Sequence, residues 1–538
     1  MYLEIDNSSS LILISFSFPL FFTHQACYLM KTSEGITNGL IRVNPTGNVN
    51  RGGKYMTQTR KRLALAGATG YIGHNLLNEL KKKYDVIALS RNGDDKDDES
   101  HVEWRSCDLF SLNDTIDGLK GADIAIYLVH SMMPSAKLTQ GSFEDMDLIL
   151  ADNYARAAKE NGIQQIVYLS GIIPEETEDL SRHLKSRLEV ERVLGAYGTP
   201  VTTIRAALIV GPKGSSFPIL SKLVKRLPVM LLPEWTRNQT HPVALPDVIH
   251  ALGASVGRED LKDRAIDIGG PESMTYKEMI LKTAEVMGKH QPTFDIPLMT
   301  VKLSRLWVTL VSGEPKETVY PLVESMVHEM VADPDKMVDG ISDGKITFEE
   351  SVRMALKEEQ EEKNQKKQSG RSSQKEEALD VRSVQRVRLP EGRDANWAAD
   401  NYVSWLSSFA KPFLTSSIAN ETIVRIQVPF LDSPLLELTK EPFQDAEQAT
   451  YRISGGLFAQ VQEGSKGRIE FRQIPGSQEC LIAIHEYVPA LPWIIYKSTQ
   501  ANIHLLVMYL FKLHLLRLMQ TTEQSPDESE MIVPETNG

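Results

Sequence analysis

Short, almost continuous apolar runs recur along the first half of the chain, at residues 63–66 (LALA), 85–89 (DVIAL), 122–129 (ADIAIYLV), 166–170 (IVYLS) and 201–206 (VTTIRA). Strands buried on both faces read in this way, whereas strands with one wet face alternate. The intervals carry helical spacing: Leu76, Leu77 and Leu80 stand against Asn75, Asn78 and the lysines at 81–83. Leu148, Ile149, Ala151, Ala155 and Ala158 recur in the same manner within 146–161. Strand and helix in regular alternation predict an α/β fold with a doubly wound parallel sheet. Residues 102–104 supply a further strand before Cys107-Asp108-Leu109. The stretch 241–251 (HPVALPDVIHA) predicts a strand, a turn and a helix, with Asp247 as a helix-start carboxylate. Residues 275–357 read as helical, with Trp307, Leu310, Val319 and Leu322 as apolar positions.

The pattern then breaks. Residues 357–377 (KEEQEEKNQKKQSGRSSQKEE) are nearly all charged or polar and are expected to form a flexible linker rather than a solvated helix end. Beyond it, 397–414 predicts a helix. Strands are expected at 422–428, 435–438, 449–453, 457–461, 468–474 and 480–488, with a hairpin turn at Pro475-Gly476-Ser477. A long apolar helix over 492–519 closes the block. His504, Lys512, His514 and Arg517 interrupt it, which speaks against a transmembrane span and for packing across a curved antiparallel sheet. The domain reading is therefore 1–55 leader, 56–350 dinucleotide-binding domain with a helical C-terminal part, 351–392 charged linker, 393–520 separate α+β domain, and 521–538 acidic disordered tail.

The leader reading rests on two features. Residues 11–22 (LILISFSFPLFF) have the length of a signal peptide, but Glu4 and Asp6 precede them and no Lys or Arg does. Arg51-Gly52-Gly53-Lys54 can be encoded by a purine-rich ribosome-binding site at natural spacing from Met56. Residues 1–55 are thus expected to be a translated leader in a bacterial gene, with a membrane anchor as the competing reading.

Chemistry concentrates at Gly67-Ala68-Thr69-Gly70-Tyr71-Ile72-Gly73. Three glycines spaced G-x-x-G-x-x-G follow a strand and open a helix, and a second strand completes a βαβ unit of about 30 residues. Gly67 permits the turn, Gly70 lets the backbone approach a pyrophosphate, and Gly73 allows close helix–sheet packing. At the end of the second strand, where NAD sites place a carboxylate for the ribose hydroxyls, the chain reads Ser90-Arg91-Asn92. A hydroxyl and a guanidinium suit a ribose phosphate, so NADP is expected over NAD.

Bulk properties narrow the partners. A net charge of −12 argues against a nucleic-acid footprint. Three cysteines, Cys27, Cys107 and Cys480, are too few and too scattered for a disulfide framework or a zinc site, which fits a cytoplasmic location. His101, His130, His241 and His250 show no metal-ligand spacing.

These motifs resemble the short-chain dehydrogenase/reductase superfamily, in the atypical branch that includes NmrA-like redox sensors and a nucleotide-binding accessory subunit of respiratory complex I. The resemblance covers about residues 61–335. It implies cofactor contacts from Thr69, Gly70, Tyr71, Ile72 and Gly73, an adenine contact from Asp108 beside Leu109, and a ribose contact near Val129, His130 and Ser131. Ser170 aligns with the serine that orients a substrate carbonyl. The superfamily's Tyr-x-x-x-Lys pair is replaced: His183 stands at the Tyr position and Arg187 at the Lys position. A similar pattern-level resemblance links the C-terminal block to START-like helix-grip domains, which implies a small hydrophobic molecule or lipid held between sheet and helix. Two functions are carried forward: an NADPH-dependent oxidoreductase or epimerase-like enzyme acting on a hydrophobic substrate, and a non-catalytic NADP(H)-binding sensor or assembly factor.

Overall fold

Parallel pairing of the buried apolar runs organises the fold in this computed structural model. It describes residues 60–131, 138–174, 179–296, 298–369, 381–409, 415–420, 422–429, 431–442, 446–461 and 465–523, together with a short antiparallel pair, Met30–Thr32 and Gly35–Thr37. The remainder of the expected leader, and the tail from 524, lie outside the described residues. Two units result, Met1–Arg60 and Lys61–Gly538; the second contains both sheets that follow.

In the first sheet, β1 (Arg62–Ala66), β2 (Asp85–Ser90), β3 (Val102–Ser106) and β4 (Ile124–Tyr127) precede a short excursion, β5 (Leu138–Gln140). The sheet continues with β6 (Ile166–Gly171), β7 (Val201–Ala206) and β8 (Arg264–Ile268). Seven strands lie in the order β8-β7-β6-β4-β1-β2-β3, all parallel. Strand order reverses between β1 and β4, and doubly wound sheets place ligands in that crevice, beyond the strands' carboxyl ends. On one face pack α1 (Tyr71–Leu80) and α6 (Leu245–Ser255). Across the other lie α2 (Leu112–Leu119), α3 (Phe143–Glu160) and α4 (Arg182–Gly195).

The helical region that follows contains α5 (Phe217–Arg226), α7 (Tyr276–Val286), α8 (Val301–Ser312) and α9 (Lys316–Ser325), plus a strand, Thr293–Ile296, within the stretch read as helical. Asp247 does sit in the first turn of α6, but its carboxylate accepts from the Lys345 and Ile346 N–H groups, both at 3.2 Å. It pins a distant loop.

Residues read as a flexible linker form α10 (Phe348–Ser369). Ion pairs to the sheet domain explain the difference: Glu359 to Lys225 at 2.5 Å, and Glu362 to Lys213. The linker reading also ran too far. A strand, β9 (Val381–Arg388), begins the C-terminal module ahead of the boundary set at 393.

This module continues with α11 (Ala395–Phe409), then β10 (Thr415–Asn420), β11 (Ile423–Gln427), β12 (Leu436–Lys440), β13 (Gln448–Gly455), β14 (Arg468–Gln473) and β15 (Glu479–Tyr487). It ends in α12 (Trp493–Ser498) and α13 (Gln500–Glu523), which a break at Thr499 separates. Strand order is β10-β11-β12-β13-β14-β15-β9, antiparallel throughout, and β5 of the first domain adds to its edge in parallel with β9. The strand expected at 457–461 is a loop with a single bridge, Ala459 to Pro489. Between sheet and long helix, Tyr402, Trp405, Phe471 and Phe511 pack ring on ring, with centroids 5.0–6.3 Å apart.

The sheet's opposite face meets the first domain rather than solvent. Val384, Ile474, Leu481 and Ala483 join the core built by α2, α3 and the parallel sheet. Charges are buried with them: Arg472, 1% exposed, pairs with Asp152 on α3 at 2.5 Å and with Glu470. Arg386 forks onto Glu189 at 2.8 and 2.9 Å and reaches Asp145 at 2.7 Å. The two sheets, each with its own helices, share a core and an edge strand.

Candidate cofactor and proton-transfer site

The turn after β1 is built for close approach. Gly67 adopts φ +86°, and a Cβ there would press on the Leu128 carbonyl at 3.2 Å, at the end of β4. A Cβ on Gly73 would lie 2.1 Å from the Gly67 oxygen, so only glycine lets α1 start this near the turn. No side chain caps α1 at Gly70, and no acidic residue occupies its first turn. Its free N–H groups and positive dipole end therefore face the crevice between β1 and β4, a fit for a pyrophosphate.

At the end of β2, Arg91 is exposed beside Ser90. The acids that follow do not all compete for it, because Asp94 is folded back on Ser106: its N–H donates to Ser106 Oγ at 2.9 Å and its carboxylate accepts the Ser106 N–H at 3.1 Å.

Asp108, expected at the adenine, accepts from Arg382 of the C-terminal module at 2.5 Å, and that guanidinium stacks over Phe110 at 4.1 Å. Leu109 beside it is buried in the core, and Val129 packs against that core. The second sheet therefore reaches the residue expected at the adenine.

The other end holds a buried polar cluster. His130 Nδ1 lies 2.5 Å from Asp147 Oδ2, and the Ser131 N–H donates to Asp147 Oδ1 at 2.6 Å. His130 and Ser131, two of the three residues expected at the ribose, are thus tied to an acid of α3 that is 1% exposed. Arg187 is buried too: it donates to the Tyr168 hydroxyl at 3.2 Å and stands 3.9 Å from Asp147. His183 hydrogen-bonds Ser325 at 3.1 Å through Nδ1 and packs against the His130 ring, centroid to centroid 5.4 Å. Ser170 is buried on the strand face that carries Tyr168.

Electrostatics assign the charge states. Burial and the nearby Arg187 push His130 below its usual pKa despite the pull of Asp147. Burial opposes ionisation of Asp147, yet His130, Arg187 and the Ser131 N–H together hold its carboxyl below the usual range. For Arg187 burial disfavours charge, but Tyr168 and Asp147 outweigh it and the group stays cationic. Burial, with His130 and Arg187 adding to it, drives His183 well down, so this ring is neutral. An ionised Asp147 therefore orients a neutral His130 whose Nδ1 proton it accepts. The other nitrogen, Nε2, is buried and has no hydrogen-bond partner among the described residues.

That imidazole lines a cleft of about 540 Å³, with Lys213, Gly214, Ser215, Phe217 and Lys222 around it. Sequence reasoning missed Asp147, because an acid within a helix ordinarily marks a solvated face. It missed Arg382 because the stretch that holds it reads as part of the charged linker.

The NAD(P)H-binding family matches residues 67–217. This segment is an NAD(P)H-binding domain. An auxiliary protein, GraX, of Staphylococcus aureus is 35% identical over 145 residues, which is 27% of this chain. The match spans 43% of GraX, less than half its length. A UDP-glucose 4-epimerase of Vibrio cholerae is 22% identical over 264 residues, covering 44% of this chain and 79% of that protein. Among solved structures, a Citrobacter triphenylmethane reductase complexed with NADP(H) is similar with TM-score 0.44 and 18% identity, over 55% of this chain and all of the reductase. A nucleoside-diphosphate-sugar epimerase of Staphylococcus aureus has TM-score 0.45 and 17% identity, over 55% of this chain and 99% of its own.

Proposed function

We propose that the protein is an NADP(H)-dependent oxidoreductase working on an alcohol–carbonyl pair, with His130 as its acid–base group. The observation that carries this reading is the Asp147–His130 arrangement: the ring is oriented through Nδ1, its Nε2 is buried without a partner among the described residues, and His130 lines the cleft. Ser90 and Arg91 favour NADP(H) over NAD(H).

When bound, the nicotinamide supplies or accepts the hydride. The chain supplies the rest. Above its lowered pKa, His130 Nε2 carries a lone pair and accepts the proton of a substrate hydroxyl, while Asp147 holds the ring's tautomer. In the reverse direction the protonated ring returns that proton to the carbonyl oxygen. Arg187, locked on Asp147 and Tyr168, acts as a positioning residue. Lys213 and Lys222 stand across the cleft, each paired with a glutamate. The C-terminal module's element order, one strand, a helix, six strands and a long helix, supports the helix-grip reading. A cytoplasmic location accords with the buried free thiols Cys107 and Cys480.

A specific observation favours a second reading. Arg187 and His183, which replace the superfamily's Lys and Tyr, are both engaged inside the protein. That suits a non-catalytic NADP(H)-binding role, in keeping with the word "auxiliary" in the name of the Staphylococcus relative.

The test is NADPH oxidation by the intact chain with a panel of quinone, aldehyde and ketone probes, repeated with His130→Ala. Turnover that falls about 10²–10⁴-fold in the variant, with NADPH still bound, supports the enzyme. Turnover unaffected by the variant, or none with any probe, contradicts it.

A further inference from the structure

We propose that α12 and α13 form a docking surface for an anionic lipid bilayer, lying in the plane of its interface.

The helix pair is apolar on both sides, but the protein covers one. Ala501, Met508, Phe511 and Leu515 are 0–3% exposed against the sheet. Opposite them, Ile503 is 59%, Leu506 55%, Tyr509 59% and Leu516 41% exposed, and Ile494 on α12 is 80% exposed. Trp493–Thr521 has the length and apolarity to cross a membrane, yet only 17% of its apolar window is buried. A helix apolar all round is normally enclosed, so its outer face lacks a partner. Spanning is excluded by the inner face, which is part of the module's core.

The patch extends past the helix. The loop expected as a strand at 457–461 exposes Leu457 and Val461. Backbone hydrogen bonds of 2.9 Å, from Ala490 to Phe458 and from Gln460 to Val488, tie it to the segment that leads into α12.

Charge selects the occupant. In a chain of net charge −12, residues 487–522 contain no Asp or Glu and carry Lys497, Lys512 and Arg517. Lys512 and Arg517 are exposed among the apolar positions. A second copy of this chain would bring the same cations against each other, whereas acidic headgroups would neutralise them. Exposed aliphatic side chains, a tyrosine and flanking cations are the composition of an interfacial helix.

Co-sedimentation of the full chain with phosphatidylcholine vesicles, with and without phosphatidylglycerol, tests this. Binding is expected only with phosphatidylglycerol, to weaken at high salt, and to fall at least tenfold in Ile503→Glu/Leu506→Glu. NADPH titration of the same variant confirms that it is folded. A Lys512→Glu/Arg517→Glu variant is expected to lose the preference for anionic vesicles. No binding to anionic vesicles overturns the proposal, as does binding unchanged by the first variant. A dimer that the first variant dissociates, without vesicle binding, assigns the face to a second copy and overturns it too.

Discussion

Asp147 Oδ2 lies 2.5 Å from His130 Nδ1 while its Oδ1 accepts the Ser131 N–H, so one buried carboxylate fixes both the ring and the strand end that carries it. Asp147→Asn removes the charge but keeps the shape. It is expected to lower turnover about 10²–10⁴-fold while leaving the NADPH Kd within about threefold. Asp147 also raises the His130 pKa against burial. Its loss therefore shifts the acid limb of alcohol oxidation to still lower pH in the residual activity. A pH–rate series on both proteins checks both statements.

Glu358 on α10 accepts a hydrogen bond of 2.9 Å from Tyr71, in the first turn of the helix whose N-terminus faces the pyrophosphate. Burial and this carboxylate keep the Tyr71 phenol protonated. A carboxylate near an anion site opposes binding. Glu358→Gln is expected to tighten NADPH about two- to fivefold, the range of a charge–dipole effect of about 0.3–1 kcal/mol. Fluorescence titration reads it.

Arg472 and Asp152 cross the interface between the two sheets while almost wholly buried. Removing the Asp152 charge leaves Arg472 with Glu470 and takes one acid from a buried cluster that also holds Arg156. Asp152→Asn is expected to cost about 3–5 kcal/mol in urea unfolding. Replacing Arg472 by Met in the same chain recovers part of that loss.

Stability is expected to fall with acid. Burial, aided by Arg468, Arg382 and Arg472, drives the pKa of His485 well down, and burial takes His504 from 6.5 to about 4. Both rings are neutral when folded, and the unfolded chain binds the extra protons below pH 6.5. Stability contributed by the neutral rings is therefore full above that value. It declines between pH 6.5 and 4, by about 1.4 kcal/mol per pH unit for each ring still neutral in the fold. Unfolding midpoints across this window check the sign.

Where burial follows apolarity, the sequence is legible. The parallel strands are continuous apolar runs, and Gly67, Gly70 and Gly73 announce the turn whose geometry needs them. Reading fails where charge is buried. The strand VRSVQRVR looks like a linker, yet Arg382 and Ser383 are 5% and 1% exposed, because Asp108 meets Arg382 across the interface and His504 on α13 meets Ser383 within the module. The charged run of α10 reads as unstructured because its partners, Lys213 and Lys225, lie far away in sequence. Residues 457–461 show the opposite error, being apolar and exposed. Of the residues expected at the reacting centre, Ser170 and Arg187 lie beside Tyr168, with Arg187 turned inward, while His183 packs on His130.

The most direct measurement is a titration of the intact chain with NADPH and NADH, followed by nicotinamide fluorescence, beside Gly73→Val. The account predicts saturable NADPH binding, NADH at least tenfold weaker, and neither bound by the variant, whose side chain would meet the Gly67 carbonyl. Absence of NADPH binding by the unaltered protein, or equal binding by Gly73→Val, would contradict it.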